Sequence, residues 1–258
     1  LYRDSEIPEP GGDDWVGRLH DEYPEISLTA EMLREARRAY YALCTHIDHQ
    51  LRVVLGTLCQ EGLMNETVIL LLADHGEMLG DHNRFAKARF YESAARIPFI
   101  LQGLPTDDRN TGGRTDHRLT DITDAMPTLL ELAGLPIPDS VEGISVAGAN
   151  RREYLYGNVG STRMIHDGRY KLIYYPRSNT TQLFDVSNDR DDLHDLAASA
   201  LHQEHRLRLE RSLIGSLGGD DRQWVDEGRL VGEKSPTKNK DFAWATRMHS
   251  GQRGLQWP

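Results

Sequence analysis

A carboxylate, an imidazole and an ammonium stand at a spacing that could grip an anion. Asp74 and His75 follow directly on the apolar run Val68–Ala73, Gly76 comes next, and Lys87 lies twelve residues beyond the histidine. An unbroken apolar run framed by turn residues reads as a strand buried on both faces, the kind found in parallel sheets. In open α/β sheets the ligand crevice lies just beyond the carboxyl ends of such strands. Asp74 and His75 fall at that end. The plainer reading of the same residues is a polar strand exit closed by a glycine turn. Lysine usage adds weight to position 87. Twenty-five of the thirty basic residues are arginine, and Lys87 and Lys171 are the only lysines before residue 234. A compact ammonium can approach one oxygen of a tetrahedral anion where a planar guanidinium needs more room. A surface salt bridge is the plainer reading here.

The elements that must hold these residues are legible around them. Leu28, Met32, Ala36, Tyr40, Leu43, Ile47, Leu51, Val54 and Leu58 recur at helical steps, which predicts one long helix with one buried face. Ser27 or Thr29 can cap its start and Gly62 suits its exit. Arg34, Arg37, Arg38 and Arg52 fall largely off the stripe and read as a solvated face. Cys44 and Cys59 lie fifteen residues apart on this helix, roughly 22 Å at 1.5 Å per residue, too far for a disulfide. They read as buried small hydrophobes. Ile97–Leu101 is a second short strand. Residues 104–119 read as a polar loop reaching toward the site. A helix follows from about Asp121 or Asp124 to Ala133, stopped by Gly134 and Pro136.

The pattern changes near residue 150. Glu153–Tyr156, Thr162–Ile165, Arg169–Tyr175 and Gln182–Val186 are short, alternating segments between turn residues, as in a small antiparallel sheet. Asp167-Gly168 is a strong two-residue hairpin signal. Ala200–Leu217 predicts a last amphipathic helix. Residues 218–258 read as an irregular tail docked on the core through Trp224, Trp244 and Trp257.

Four ordered stretches carry a family resemblance. Asp74-His75-Gly76-Glu77-Met78-Leu79-Gly80-Asp81-His82 is similar to the metal-binding turn of sulfatases of the alkaline phosphatase superfamily. Phe85-Ala86-Lys87 stands where that family usually has Trp-Gly-Lys, and Phe90-Tyr91-Glu92 with Arg96-Ile97-Pro98 continues the pattern. Thr120-Asp121-Ile122 through Pro127 to Gly134 resembles the family's later helix. Asp167 to Leu172 with Leu183-Phe184-Asp185 resembles its C-terminal sheet.

The resemblance, which runs from about Leu28 to Ala198, implies an α/β fold. Residues 1–150 would be the C-terminal part of an alkaline-phosphatase-like α/β/α sheet core, 151–217 a small antiparallel sheet with its helix, and 218–258 the tail. It assigns Asp74 and His75 to a divalent metal and Lys87, the catalytic and substrate-binding residue, to an oxygen of the transferring group. Many sulfatases have asparagine where His75 stands. The family points to Ca²⁺, while an imidazole also suits Mn²⁺ or Zn²⁺, and Mg²⁺ is a further candidate. The expected activity is hydrolysis of a small anionic sulfate ester. A phosphonate monoester or phosphodiester hydrolase of the same superfamily is the rival, and a non-catalytic scaffold is the alternative of another class.

The family nucleophile is a formylglycine made from Cys or Ser in a Cys/Ser-x-Pro-x-Arg stretch. Neither Cys44, before Thr-His-Ile-Asp, nor Cys59, before Gln-Glu-Gly-Leu, has that surrounding. The chain opens at Leu1, so the expectation is a piece of a longer enzyme holding half an active site, inactive alone. His82 reads as a loop-stabilising group, and Arg89 and Arg96 as members of structural ion pairs. His117, His166, His194, His202 and His205 show no ligand spacing for a second metal.

A net charge of −10 argues against a nucleic-acid partner, which needs clustered Lys and Arg. No apolar stretch approaches the roughly 18–20 residues of a membrane span. The sequence leaves oligomeric state open and is compatible with a bacterial cytoplasm or periplasm without choosing one.

Overall fold

A computed structural model describes residues 7–11, 28–103 and 113–233. Helix α1 (Ala30–Gln60) begins as predicted, with the Thr29 hydroxyl accepting from Met32 N at 3.2 Å. Strand β1 (Ile69–Leu72) carries the chain to Asp74. A loop then leads through a short helix α2 (Glu92–Ala95) into β2 (Phe99–Gln102), which pairs antiparallel with β1 in the register Leu72↔Phe99. Helix α3 (Ala125–Leu132) follows a 3-10 turn in which Asp121 and Asp124 form a reciprocal capping box.

Strands β3 (Leu155–Val159), β4 (Thr162–His166), β5 (Tyr170–Tyr175) and β6 (Thr180–Asp185) form an antiparallel meander in chain order. Between β4 and β5, Asp167 Oδ1 accepts from the amides of Arg169 and Tyr170 at 2.9 and 2.6 Å, and Gly168 takes φ +97°. Asp167 N also donates to Tyr170 O at 3.1 Å, so the two-residue loop is Gly168-Arg169: the hairpin falls where the Asp-Gly pair predicts it, with the left-handed position at Gly168 and not at Asp167. Helix α4 (Gln203–Ser216) closes the meander.

The meander carries a core on each face. Side-chain alternation sends Tyr170, Leu172 and Tyr174 of β5 to one side, where they meet Leu183, Leu209, Leu213 and Trp224. Ile173 and Tyr175 go to the other, against Met78, Phe90, Tyr91 and Ala94 from the loop and α2. The site loop is thus built onto the sheet.

Several expectations need correction. The strand buried on both faces is β5, whereas β1 is only partly covered and its partner β2 runs antiparallel to it. Among the described residues β1 has one neighbour, so its apolar run lacks the cover that its composition anticipates. The stripe of α1 is likewise bare, with Met32, Leu43, Ile47 and Val54 each 55–60% exposed. Cys44 and Cys59 are exposed and unpaired, not buried. Arg37, assigned to a solvated face, is the buried residue of the helix.

In the tail, residues Gly219–Trp224 form a 3-10 helix, and β7 (Val225–Asp226) pairs with β8 (Arg229–Leu230). Trp224 is buried as expected, while Trp244 and Trp257 lie outside the described residues, as do Ser27 and residues 104–112. No helix among the described residues is long and apolar enough to cross a membrane.

Candidate active site

The loop that leaves β1 is closed on itself. Gly76 N donates to Ala94 O at 2.8 Å and Glu77 N to Ser93 O at 2.9 Å, which zips the loop's entry against α2. A side chain at position 76 has no room, because a Cβ there would lie 2.1 Å from Ser93 O. The loop then doubles back: Met78 N donates to Ala86 O at 2.9 Å and Gly80 N to Arg84 O at 2.7 Å. The Glu77 carboxylate ties the two limbs by accepting from Ala86 N at 2.5 Å and Leu79 N at 3.3 Å. Pairing Met78 with Ala86 returns residue 87 to the mouth of the loop, beside residue 75.

That return brings the three predicted residues together. Lys87 Nζ lies 2.5 Å from His75 Nε2, and Asp74 Oδ2 lies 3.3 Å from the same nitrogen. The other ring nitrogen, Nδ1, is 2.7 Å from Gly76 O. A carbonyl can only accept, so Nδ1 donates to Gly76 O, and Nε2 is the ring atom that faces Asp74 and Lys87. The Asp74 side chain is 76% exposed and His75 is 35% exposed, so the cluster opens to solvent.

Left-handed backbone marks the loop. Leu79, His82, Asn83, Ala86 and Ala88 all take φ between +46° and +73° without being glycine. Each such residue stores strain that the surroundings must hold in place. The holders include residues that sequence reasoning missed. Arg37 reaches from α1 and donates to Leu79 O at 2.8 Å and Asp81 Oδ1 at 3.3 Å. Glu77 had no distinguishing signal beyond its place in the turn.

His82 is a structural residue. It is buried, its ring stacks on Tyr91 at 3.9 Å, and its Nε2 lies 2.9 Å from Asp191 O. Arg89 is buried with a bond to Ala88 O, while Arg96 lies exposed. The remaining histidines are dispersed: His166 Nδ1 accepts from Gly168 N, His202 pairs with Ser199, and His205 stacks on Tyr170. His117 and His194 are exposed, the latter 3.6 Å from Asp189. Among the described residues no group of three or more His, Cys, Asp or Glu side chains is arranged to hold a metal ion. Asp74 and His75 therefore offer two converging groups, a carboxylate oxygen and a ring nitrogen whose partner nitrogen is tied to Gly76 O. Such groups fit part of a divalent-cation site.

Comparison with known proteins identifies what the geometry resembles. The chain matches the family model "Sulfatase" over residues 8–135 and the model "N-sulphoglucosamine sulphohydrolase, C-terminal" over residues 80–216. It is 32% identical to an arylsulfatase of Clostridium perfringens over 248 residues, covering 90% of this chain and 52% of that protein. A phosphonate monoester hydrolase from Silicibacter pomeroyi superposes with a TM-score of 0.63 at 24% identity, covering 75% of this chain and 43% of that one. A structure solved with its substrate D-glucosamine-2-N,6-O-disulfate gives a TM-score of 0.58 at 20% identity, covering 71% and 40%. At such identities the two structures speak for the fold, which is α/β of the alkaline phosphatase type. The chain spans about half the length of the arylsulfatase and less of the two solved chains.

Proposed function

The chain belongs to the sulfatase family of the alkaline phosphatase superfamily, and we propose that it supplies the metal- and anion-binding half of a site that hydrolyses sulfate esters. The observation that most supports this reading is that Lys87 Nζ and Asp74 Oδ2 both lie within 3.3 Å of His75 Nε2 at the mouth of one loop. Asp74 and His75 would be ligands of a divalent ion. Ca²⁺ is proposed on family grounds, with Mn²⁺, Mg²⁺ or Zn²⁺ as alternatives because a ring nitrogen takes the place of an oxygen donor. When bound, such an ion polarises the S–O bonds of the ester.

The chain's own groups do the rest. Gly76 O fixes the orientation of the His75 ring. The Asp74 carboxylate holds negative charge at an exposed rim. The Lys87 ammonium can swing from the imidazole onto an oxygen of a small anionic ester as negative charge gathers there. The nucleophile, a formylglycine in this family, and the remaining metal ligands would come from a segment with the Cys/Ser-x-Pro-x-Arg pattern that the chain lacks. By itself the 258-residue chain should then be inactive and hold metal weakly, since two ligands seldom retain a divalent ion.

Two observations favour a second reading. His75 departs from the family's usual asparagine, and the fold is also similar to the Silicibacter phosphonate monoester hydrolase. Turnover of paired aryl sulfate and aryl phosphonate monoesters by an enzyme with a complete core separates the two. The first reading expects the sulfate to be preferred. In the same enzyme Lys87→Ala should lower turnover more than about a hundredfold, the scale of one lost oxyanion donor, with its melting curve unchanged. Near-normal turnover would remove Lys87 from the chemistry.

A further inference from the structure

Behind the site loop, on the side away from solvent, lies an ionic cluster for which the chemistry above has no use. Lys171 of β5 is 1% exposed, and its Nζ donates to Glu92 Oε1 and to Asp192 Oδ2, each at 2.7 Å. Asp192 Oδ2 also accepts from Glu92 N at 2.7 Å, which caps the first turn of α2. Charged side chains this far from water are expensive unless paired, and replacing such pairs by apolar groups is often neutral for stability. A cluster kept at that cost is better explained by what it positions.

Its connections lead to the active-site cluster in a few steps. Glu92 opens α2, whose next two carbonyls, Ser93 O and Ala94 O, hold Glu77 N and Gly76 N. Gly76 O in turn holds the His75 ring. The residue before Asp192 holds the far end of the same loop, since Asp191 O pairs with His82 Nε2 at 2.9 Å. Two consecutive aspartates therefore anchor both limbs of the loop that sets Lys87 against His75. The geometry points to Asp192 and Lys171 as positioning residues for that site: a buried strut from the C-terminal sheet through α2 that fixes where the His75 imidazole sits. That the placement serves ester hydrolysis rests on the reading proposed above; the placement itself does not.

Alternation along β5 explains why a lysine belongs there. Tyr170 and Leu172 point to the α4 side, so residue 171 must point toward α2. A straight stem ending in a point charge can reach both Glu92 and Asp192 where the flat fork of arginine would need a wider space. Apart from Lys87, this is the one position before residue 234 at which an arginine-rich chain uses lysine.

Amide hydrogen exchange and His75 ring nitrogen shifts on the 258-residue chain test the strut without any assay of activity. Its failure is therefore distinguishable from failure of the hydrolase reading. In Asp192→Ala, exchange at Gly76 and Glu77 should rise about tenfold, the effect of one lost hydrogen bond, with the Met164–Ile173 pairing between β4 and β5 unchanged. The Nδ1–H pattern of His75 should blur toward that of a free imidazole. Asp192→Asn keeps an acceptor and tolerates the left-handed φ of +54°, so it should restore both signals. If Asp192→Ala does not fold, Lys171→Met must produce the same selective rise. Unchanged exchange at Gly76 and Glu77, or a rise shared equally by the sheet, would overturn the assignment.

Discussion

Ala86 occupies the place where the sulfatase pattern usually has glycine, and its φ of +64° shows what that substitution costs. Its backbone cannot relax outward, because its N–H is held by Glu77 Oε1 and its carbonyl by Met78 N. An L-residue in this conformation pays roughly 1–2 kcal/mol for the crowding of Cβ against the carbonyl. Glycine removes that cost but returns about 0.4–1 kcal/mol by freeing the unfolded chain. The Ala86 methyl is exposed, so little burial is lost. Ala86→Gly should therefore stabilise the protein by about 0.5–1 kcal/mol, a rise in melting temperature of about 1–4 °C for a chain of this size. Urea denaturation followed by circular dichroism measures it, with Ala42→Gly in the interior of α1 as the control. The control should lose about 1 kcal/mol on helix propensity alone. If both variants lose stability alike, residue 86 is not held left-handed, and the account of how the loop returns Lys87 to His75 fails.

A second perturbation probes the support beneath α3. Asp124 is 1% exposed and receives both nitrogens of Arg152, at 2.8 and 2.5 Å, plus the amides of Ile144 and Asp121. Arg152→Met should cost about 3–5 kcal/mol in urea denaturation by stranding a buried carboxylate, and a loss under 1 kcal/mol would contradict that burial. The third concerns pH. Burial pushes the Asp192 carboxyl up to about 6, against the pull of Lys171, so the native state binds this proton more tightly than the unfolded chain. The stabilisation from that proton is complete below the unfolded value of 3.8 and is lost as pH rises through about 6. Lys171 and Glu92 face this carboxyl, and the His166 imidazole, pushed down chiefly by its own burial, interacts with both. The stability of Asp192→Asn relative to wild type should grow from pH 4.5 to 7.5 in matched denaturation curves, and a shrinking difference would refute the sign.

The residues that meet at the site were legible through the family resemblance as much as through their own types: Asp74 and His75 stand at a strand end, and Lys87 is a rare lysine at the family's lysine position. The doubling back of the loop that returns residue 87 to residue 75 was not legible. The Asp167-Gly168 hairpin and the Thr29 cap were legible for local reasons. Burial was not. Periodicity in α1 and continuity in β1 mark surfaces that favour cover, but carry no information on which neighbour provides it, so Leu43, Ile47 and Leu71 are exposed here. Arg37 ran the other way. An arginine off the apolar stripe reads as solvated, and only the loop's free carbonyl at Leu79 gives it a buried partner. The left-handed run from Leu79 to Ala88 had no signal at all, because five of its positions carry side chains where glycine would have announced the conformation. Lys171 was visible as a rare lysine, yet its partners lie 21 and 79 residues away.

The uncovered stripe of α1 holds a reserve of free energy. Removing the rest of Met32, Leu43, Ile47 and Val54 from water would release about 3–7 kcal/mol, since each is already partly shielded. Whole domains are stable by only about 5–15 kcal/mol. Any polypeptide that settles on this helix would thus contribute to the protein's cohesion on the scale of a second folding event, and would do so through contacts that never touch Asp74, His75 or Lys87.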